Sequence, residues 1–187
     1  DTENWATRIA EKNSMEYKNY AVGGGTIAED LPLTQSGEKR HSVSETLDKM
    51  YKEFPDADYI IFDGGTNDAD LLRSLMKNGE TRLGSFDPSD FSGEYDRSTF
   101  CGALESLFYR SVNYWTGKKI GYIVAQKMDD DDQTKFDNRR LYFDKAVEIC
   151  LKWGIPYIDL WKGCYLNPKL PSMYDPTKTP EQNRAEN

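Results

Sequence analysis

The chain has 187 residues, 37% of them hydrophobic and 13% aromatic, which suits one domain with a sizeable core and excludes a disordered composition. Its 32 acidic against 24 basic residues leave a net charge of −8, which repels phosphate backbones and argues against nucleic acid as a main partner. No apolar run approaches the roughly 20 residues that a membrane span needs. No signal peptide is visible from Asp1 onward, an absence that decides nothing because a leader can be cleaved.

Thr2 to Lys12 reads as a helix capped by Asp1 or Thr2, with Trp5, Ala6 and Ile9 on one face. Tyr17 to Val22 reads as a strand running into Gly23-Gly24-Gly25. Ser42 and Glu45 have capping-box spacing ahead of a helix whose apolar face is Val43, Leu47, Met50 and Tyr51. Asp58 to Phe62 is a second strand, and Leu71 to Met76 a short helix. Asn78 to Arg97, rich in Gly, Asp, Ser and Pro, reads as a long loop, and loops of that length in compact domains are often functional. Phe91 and Tyr95 within it are candidates for touching a substrate.

Phe100, Leu104, Leu107, Phe108, Val112 and Trp115 trace a helical stripe. Lys119 to Ala125 is a third strand. Asp129 to Asp132 is an acidic loop without the alternating spacing and turn glycine of a calcium loop, so no metal is expected there. Phe136, Phe143, Val147, Cys150 and Leu151 mark a further helix, closed by Gly154 and Pro156, and Pro156 to Leu160 is a fourth strand. From Gly163 onward no helix or strand is evident. Trp115, Trp153 and Trp161 read as core or near-core residues. Cys101 and Cys150 fall on helical apolar positions, and with Cys164 they make an odd count without a Cys-x-x-Cys pair. That usage mildly favours a reducing, cytoplasmic compartment. Strands alternating with helices predict a parallel sheet with right-handed crossovers, as a three-layer, flavodoxin-like α/β sandwich.

The chemistry concentrates at two strand ends, Gly23-Gly24-Gly25-Thr26 and Gly64-Gly65-Thr66-Asn67-Asp68. In open α/β sheets ligands bind at the carboxyl ends of strands. A glycine turn can present a bare backbone N–H, and an Asn amide beside it completes a two-donor site for an anion or a tetrahedral oxyanion. The glycines equally suit plain strand-to-helix turns, and spacing alone does not choose. Neither turn is a P-loop, since no Gly-Lys-Ser/Thr follows. His41, the single histidine, stands between Arg40 and Ser42, and a long connection separates it in sequence from the glycine turn. It reads as a solvated or cap-adjacent residue far from that turn.

Asn19-Tyr20-Ala21-Val22-Gly23-Gly24 and Gly65-Thr66-Asn67-Asp68 resemble the second and third blocks of the SGNH hydrolases, the GDSL-type esterases and lipases. Leu83-Gly84, Thr99-Phe100-Cys101-Gly102-Ala103-Leu104, and the stretch from Tyr142 to Leu160 ending in Trp153-Gly154-Ile155-Pro156-Tyr157 are similar to bacterial members. The resemblance implies that Gly24 donates its N–H and Asn67 its side-chain amide to an oxyanion. Gly23 competes with Gly24 for that role, and Gly65, Thr66 and Asp68 line the substrate site. The family's first block, with the nucleophilic serine, and its last, Asp-x-x-His, are not found in residues 1–187. The strand leading into that serine would lie between the strands at 17–22 and 58–62, so residues 1–187 are expected to be a single SGNH-type domain truncated at both ends. The implied function is hydrolysis of acyl esters, acetyl esters among them, of a small molecule such as an acylated carbohydrate, with no cofactor. The alternatives are a non-catalytic SGNH-like binding module for carbohydrate or another small ligand, and a flavodoxin-like cofactor binder. Oligomeric state is left open.

Overall fold

The computed structural model describes residues 4–31, 33, 36–72, 76–77, 80–127, 133–164 and 177. Helix α1 spans Trp5–Lys12 and its cap is Asn4, whose Oδ1 accepts the Thr7 N–H at 2.9 Å. The proposed caps Asp1 and Thr2 lie outside the described residues. Helix α2 (Val43–Glu53) starts at Ser42 as expected, with the Glu45 N–H donating to the Ser42 hydroxyl. Next come β1 (Tyr59–Asp63), α3 (Thr66–Leu72) and a small hairpin of β2 (Met76–Lys77) and β3 (Glu80–Thr81). The chain closes with α4 (Phe100–Tyr114), β4 (Lys119–Val124), α5 (Gln133–Trp153), β5 (Tyr157–Asp159) and α6 (Leu160–Gly163).

The main sheet is parallel, in the order β1-β4-β5, with Ile60 opposite Ile120 and Ile123 opposite Ile158. Strands point alternate residues to opposite faces. Ile60 and Phe62 of β1, with Ile120, Tyr122 and Val124 of β4, are buried in one core with the apolar faces of α2, α4 and α5. Phe108 of α4 meets the Tyr122 ring edge-on at 5.9 Å, and Phe100 lies 5.0 Å from the Tyr142 ring of α5. On the other face Tyr59 and Ile61 are about half exposed, at 49% and 48%.

Three sequence expectations need correction. Residues 17–22 form no strand. They follow α1 as extended chain, Val22 is exposed, and the anchor of the segment is the Tyr20 hydroxyl, which donates to the Glu53 carboxylate. A strand exists only when a neighbour takes its backbone groups. Among the described residues β1 pairs with β4 alone, and residues 17–22 do not pair with its other edge. The short helix expected at 71–76 begins earlier, at Thr66, and Met76 belongs to the hairpin. The fourth strand ends at Asp159, which caps α6 by accepting the Lys162 N–H. The acidic residues 129–132 lie outside the described residues.

The long loop is structured rather than free. Phe91 and Tyr95 do not face the two glycine turns. Phe91 packs on the Trp153 ring at 5.1 Å, and Tyr95 packs on Tyr109 and Trp153. The Lys152 ammonium sits among Phe86, Phe91, Tyr95 and Trp153, 4.9–5.9 Å from the ring centroids. It lies 2.7 Å from both Glu105 Oε1 and the Asp87 carbonyl.

Candidate oxyanion site

β1 ends at Asp63, and the chain must turn at once to start α3. Gly65 makes that turn at φ +97°, where L side chains are strained. A Cβ there would also stand 3.3–3.4 Å from the rings of Phe143 and Phe100. The turn is held from above by the Tyr122 hydroxyl, which donates to the Gly64 carbonyl at 3.0 Å. Asn67 and Asp68 thereby fall in the first turn of α3, beside the sheet's carboxyl edge.

α3 is pinned to α5 through groups the sequence reading did not single out. Arg139 pairs with Asp70 through two contacts, at 3.0 and 2.6 Å, with the Arg139 side chain 8% exposed. Asn138 donates to the Ala69 carbonyl. Two polar residues two and three positions after the apolar Phe136 were the available signal, but their partners lie some seventy residues away in sequence, beyond any local pattern.

The second turn comes to meet the first. The Asn67 side-chain amide donates to the Gly25 carbonyl at 2.9 Å. One N–H of the amide is thus fixed, and among the described residues the other has no partner. Val22 to Gly25 is a tight turn closed by the Gly25 N–H to the Val22 carbonyl at 2.9 Å, with Gly24 at φ +77°, as a type II turn requires at its third position. Gly23 and Gly24 are both exposed, and neither N–H has a partner among the described residues. Gly65 is buried and Thr66 half-buried.

Asp68 turns the other way. It is fully buried, and its carboxylate accepts the Ile27 N–H at 2.9 Å and the Ala28 N–H at 2.8 Å. Burial pushes its carboxyl up to about 6, against the pull of those two amides. With no open face, Asp68 acts on the glycine turn rather than lining the substrate site as the sequence reading supposed. Residues 25–28 are tied down on their other flank as well. Thr26 bridges to Ser42, exchanging backbone bonds with His41 and Val43 at 3.0 and 2.8 Å, and the Ser42 hydroxyl donates to the Ile27 carbonyl.

That bridge corrects the placement of His41. It lies against the glycine turn, with Nδ1 buried, without a partner among the described residues, and 3.1 Å from where a Cβ on Gly25 would stand. Thr46 Oγ1 donates to the Ser42 carbonyl, so at 2.8 Å it accepts from His41 Nε2–H. The imidazole therefore serves the start of α2.

Cys101 and Cys150 are buried among apolar groups, which pushes both thiols up to about 12 and makes them poor nucleophiles. A shallow apolar groove lined by Tyr59, Ile61, Gly121, Ile155 and Pro156 lies toward the amino ends of β4 and β5, away from Asn67. No described helix is long and apolar enough to cross a membrane.

No protein-family model and no curated protein matches the chain. Solved structures do. A crystal structure of a protein from Lactobacillus plantarum matches with a TM-score of 0.63 at 20% identity, over 92% of this chain and 77% of that one. A further crystal structure has a TM-score of 0.64 at 18% identity, over 91% and 74%. A third, described as a "putative GDSL-like lipase" from Bacteroides ovatus, has a TM-score of 0.56 at 18% identity, over 85% of this chain and 66% of that one. The parallel sheet, its helices and these neighbours together give the chain an SGNH-like, flavodoxin-type α/β fold.

Proposed function

We propose that this chain carries the oxyanion half of a serine-type carboxylic ester hydrolase of the SGNH kind. The observation that carries the reading is the contact between the two turns. The Asn67 amide is anchored on Gly25, one residue from Gly24, and among the described residues its other N–H and the Gly24 N–H have no partner. Two donors fixed before the reaction stabilise the negative oxygen of a tetrahedral intermediate without reorganising. The attacking serine, its histidine base and the orienting carboxylate come from outside residues 1–187. The strand that brings the serine fills the open edge of β1. Gly24 is the backbone donor on this reading, because Gly23 precedes the positive-φ corner of the turn. The substrate is an acyl ester of a small molecule, with acetylated carbohydrate as one class.

The test is esterase activity of the full-length polypeptide on p-nitrophenyl acetate. Loss of one oxyanion donor costs about 3–4 kcal/mol of transition-state stabilisation, so Asn67→Ala should lower kcat by about 10²–10³ and change KM little. Unchanged kcat in Asn67→Ala would refute the assignment.

A further inference from the structure

Consecutive residues of α3 grip one short segment from two sides. Asn67 takes the carbonyl of Gly25, and Asp68 takes the N–H groups of Ile27 and Ala28, about forty residues away in sequence. Gly23 and Gly24 have open space around their Cα atoms, so they do not fix the turn themselves. Its position relative to Asn67 is set by what holds residues 25–28. On the α2 side the Thr26–Ser42 bridge and the Ser42 hydroxyl hold the segment to α2, not to α3. The link from this segment to the helix that carries Asn67 runs through Asn67 itself and Asp68.

The choice of residue is informative. Ile27 and Ala28 are fully buried, so their N–H groups must find acceptors, and any polar acceptor on α3 would avoid that penalty. A buried carboxylate is a costly way to do it. What it provides is Oδ1 shared by both amides, at 3.1 Å from Ile27 N and 2.8 Å from Ala28 N, with Oδ2 closing on Ile27 N at 2.9 Å, so that one short stem locks both in a single geometry. We propose that Asp68 is a positioning residue that sets the glycine turn in register with Asn67, so that the Gly24 N–H and the Asn67 amide converge on one oxygen. This rests on the oxyanion reading for its catalytic meaning, but the geometric part stands separately. The charged or titratable groups near Asp68 from other elements are the Tyr122 phenol of β4 and the Tyr142 phenol of α5. Both are pushed upward by burial, and the nearest imidazole is that of His41 beside Gly25.

The experiment has two arms. In the first, Asp68→Asn is made in the full-length polypeptide. It keeps shape and an acceptor at Oδ1, but sets an amide NH₂ at Oδ2, against the Ile27 N–H that Oδ2 accepts at 2.9 Å. Positioning predicts a drop in kcat on p-nitrophenyl acetate of about tenfold to a hundredfold with KM nearly unchanged, and partial recovery in Asp68→Glu, which keeps both acceptor oxygens. A stability loss with kcat intact would reduce Asp68 to a structural role and overturn the proposal. In the second arm, amide NMR is recorded on the 187-residue chain carrying His41→Gln, which removes the imidazole and retains a donor toward Thr46. As pH passes through 6, the signals of Ile27, Ala28, Gly24 and the Asn67 side chain should titrate together. Movement of Ile27 and Ala28 without Gly24 and Asn67 would overturn the proposal even if Asp68→Asn fails to fold. If the register holds by NMR but Asn67→Ala leaves esterase activity untouched, the oxyanion reading fails and the positioning geometry survives it.

Discussion

Replacing Lys152 by Met should be among the most damaging single changes in this fold. Lys152 and Glu105 are each 2% exposed at the side chain and 2.7 Å apart. Among the described residues the Glu105 carboxylate has one further partner, the Trp153 indole N–H at 2.9 Å. Met fills the stem's volume but removes the cation, leaving a buried carboxylate with one neutral donor among the described residues. Breaking a buried pair this way costs about 3–5 kcal/mol, against about 0–1 kcal/mol for an exposed pair. The ammonium also loses its place among Phe86, Phe91 and Tyr95, so the loop they belong to loses its inner anchor. For a chain of this length, about 2–4 °C per kcal/mol implies a fall in Tm of roughly 6–20 °C. Urea unfolding of Lys152→Met, Glu105→Leu and the double variant closes a thermodynamic cycle. The double variant, which buries no charge, should come within about 2 kcal/mol of the parent and be more stable than Lys152→Met. A loss below about 1 kcal/mol in Lys152→Met, or a double variant no better than the single, would refute the reasoning.

Asp68 makes a pH prediction as well. Its carboxyl is raised from 3.8 to about 6, so its contribution to stability is full below the lower value and lost as pH rises through the higher. At about 1.4 kcal/mol per pH unit, the parent should lose about 2 kcal/mol relative to Asp68→Asn between pH 4 and pH 7.5, read from urea midpoints. A constant difference between the two proteins would contradict it. Gly25→Ala places a Cβ 2.9 Å from the Val22 carbonyl, where backbone must shift, and should destabilise by about 1–3 kcal/mol. Gly24→Ala meets open space and pays only for its positive φ, about 1–2 kcal/mol. The two thermal melts should rank in that order. A thiol reagent should label Cys164, which is half-buried, in the native chain and reach Cys101 and Cys150 only after unfolding; native labelling of either would show that α4 or α5 opens readily.

The elements that could be read from the residues are those whose own pattern suffices. α4 and α5 carry long apolar stripes, and β1 and β4 are short apolar runs cut off by glycine or polar residues, so each was located within a few positions. Both glycine turns and Asn67 were visible for the same reason, since they interrupt those runs. The start of α3 is not legible because Thr66, Asn67 and Asp68 show no apolar period; the Gly65 turn and the packing of α5 against it decide that start, five residues before the expected Leu71.

The alternation of apolar runs and stripes determined the parallel α/β architecture, because burial of those faces is local to each element. Everything that depends on a partner was decided in three dimensions. Residues 17–22 have a strand's composition and form none, since among the described residues no neighbouring strand pairs with them. His41 reaches the glycine turn through one parallel bridge, and Lys152 finds Glu105 on another helix. Asp68, the most hydrophilic kind of residue, is wholly buried because two amides from a distant turn meet its oxygens. A side chain's type sets what it can bond; only the packed chain decides what stands within 3 Å of it.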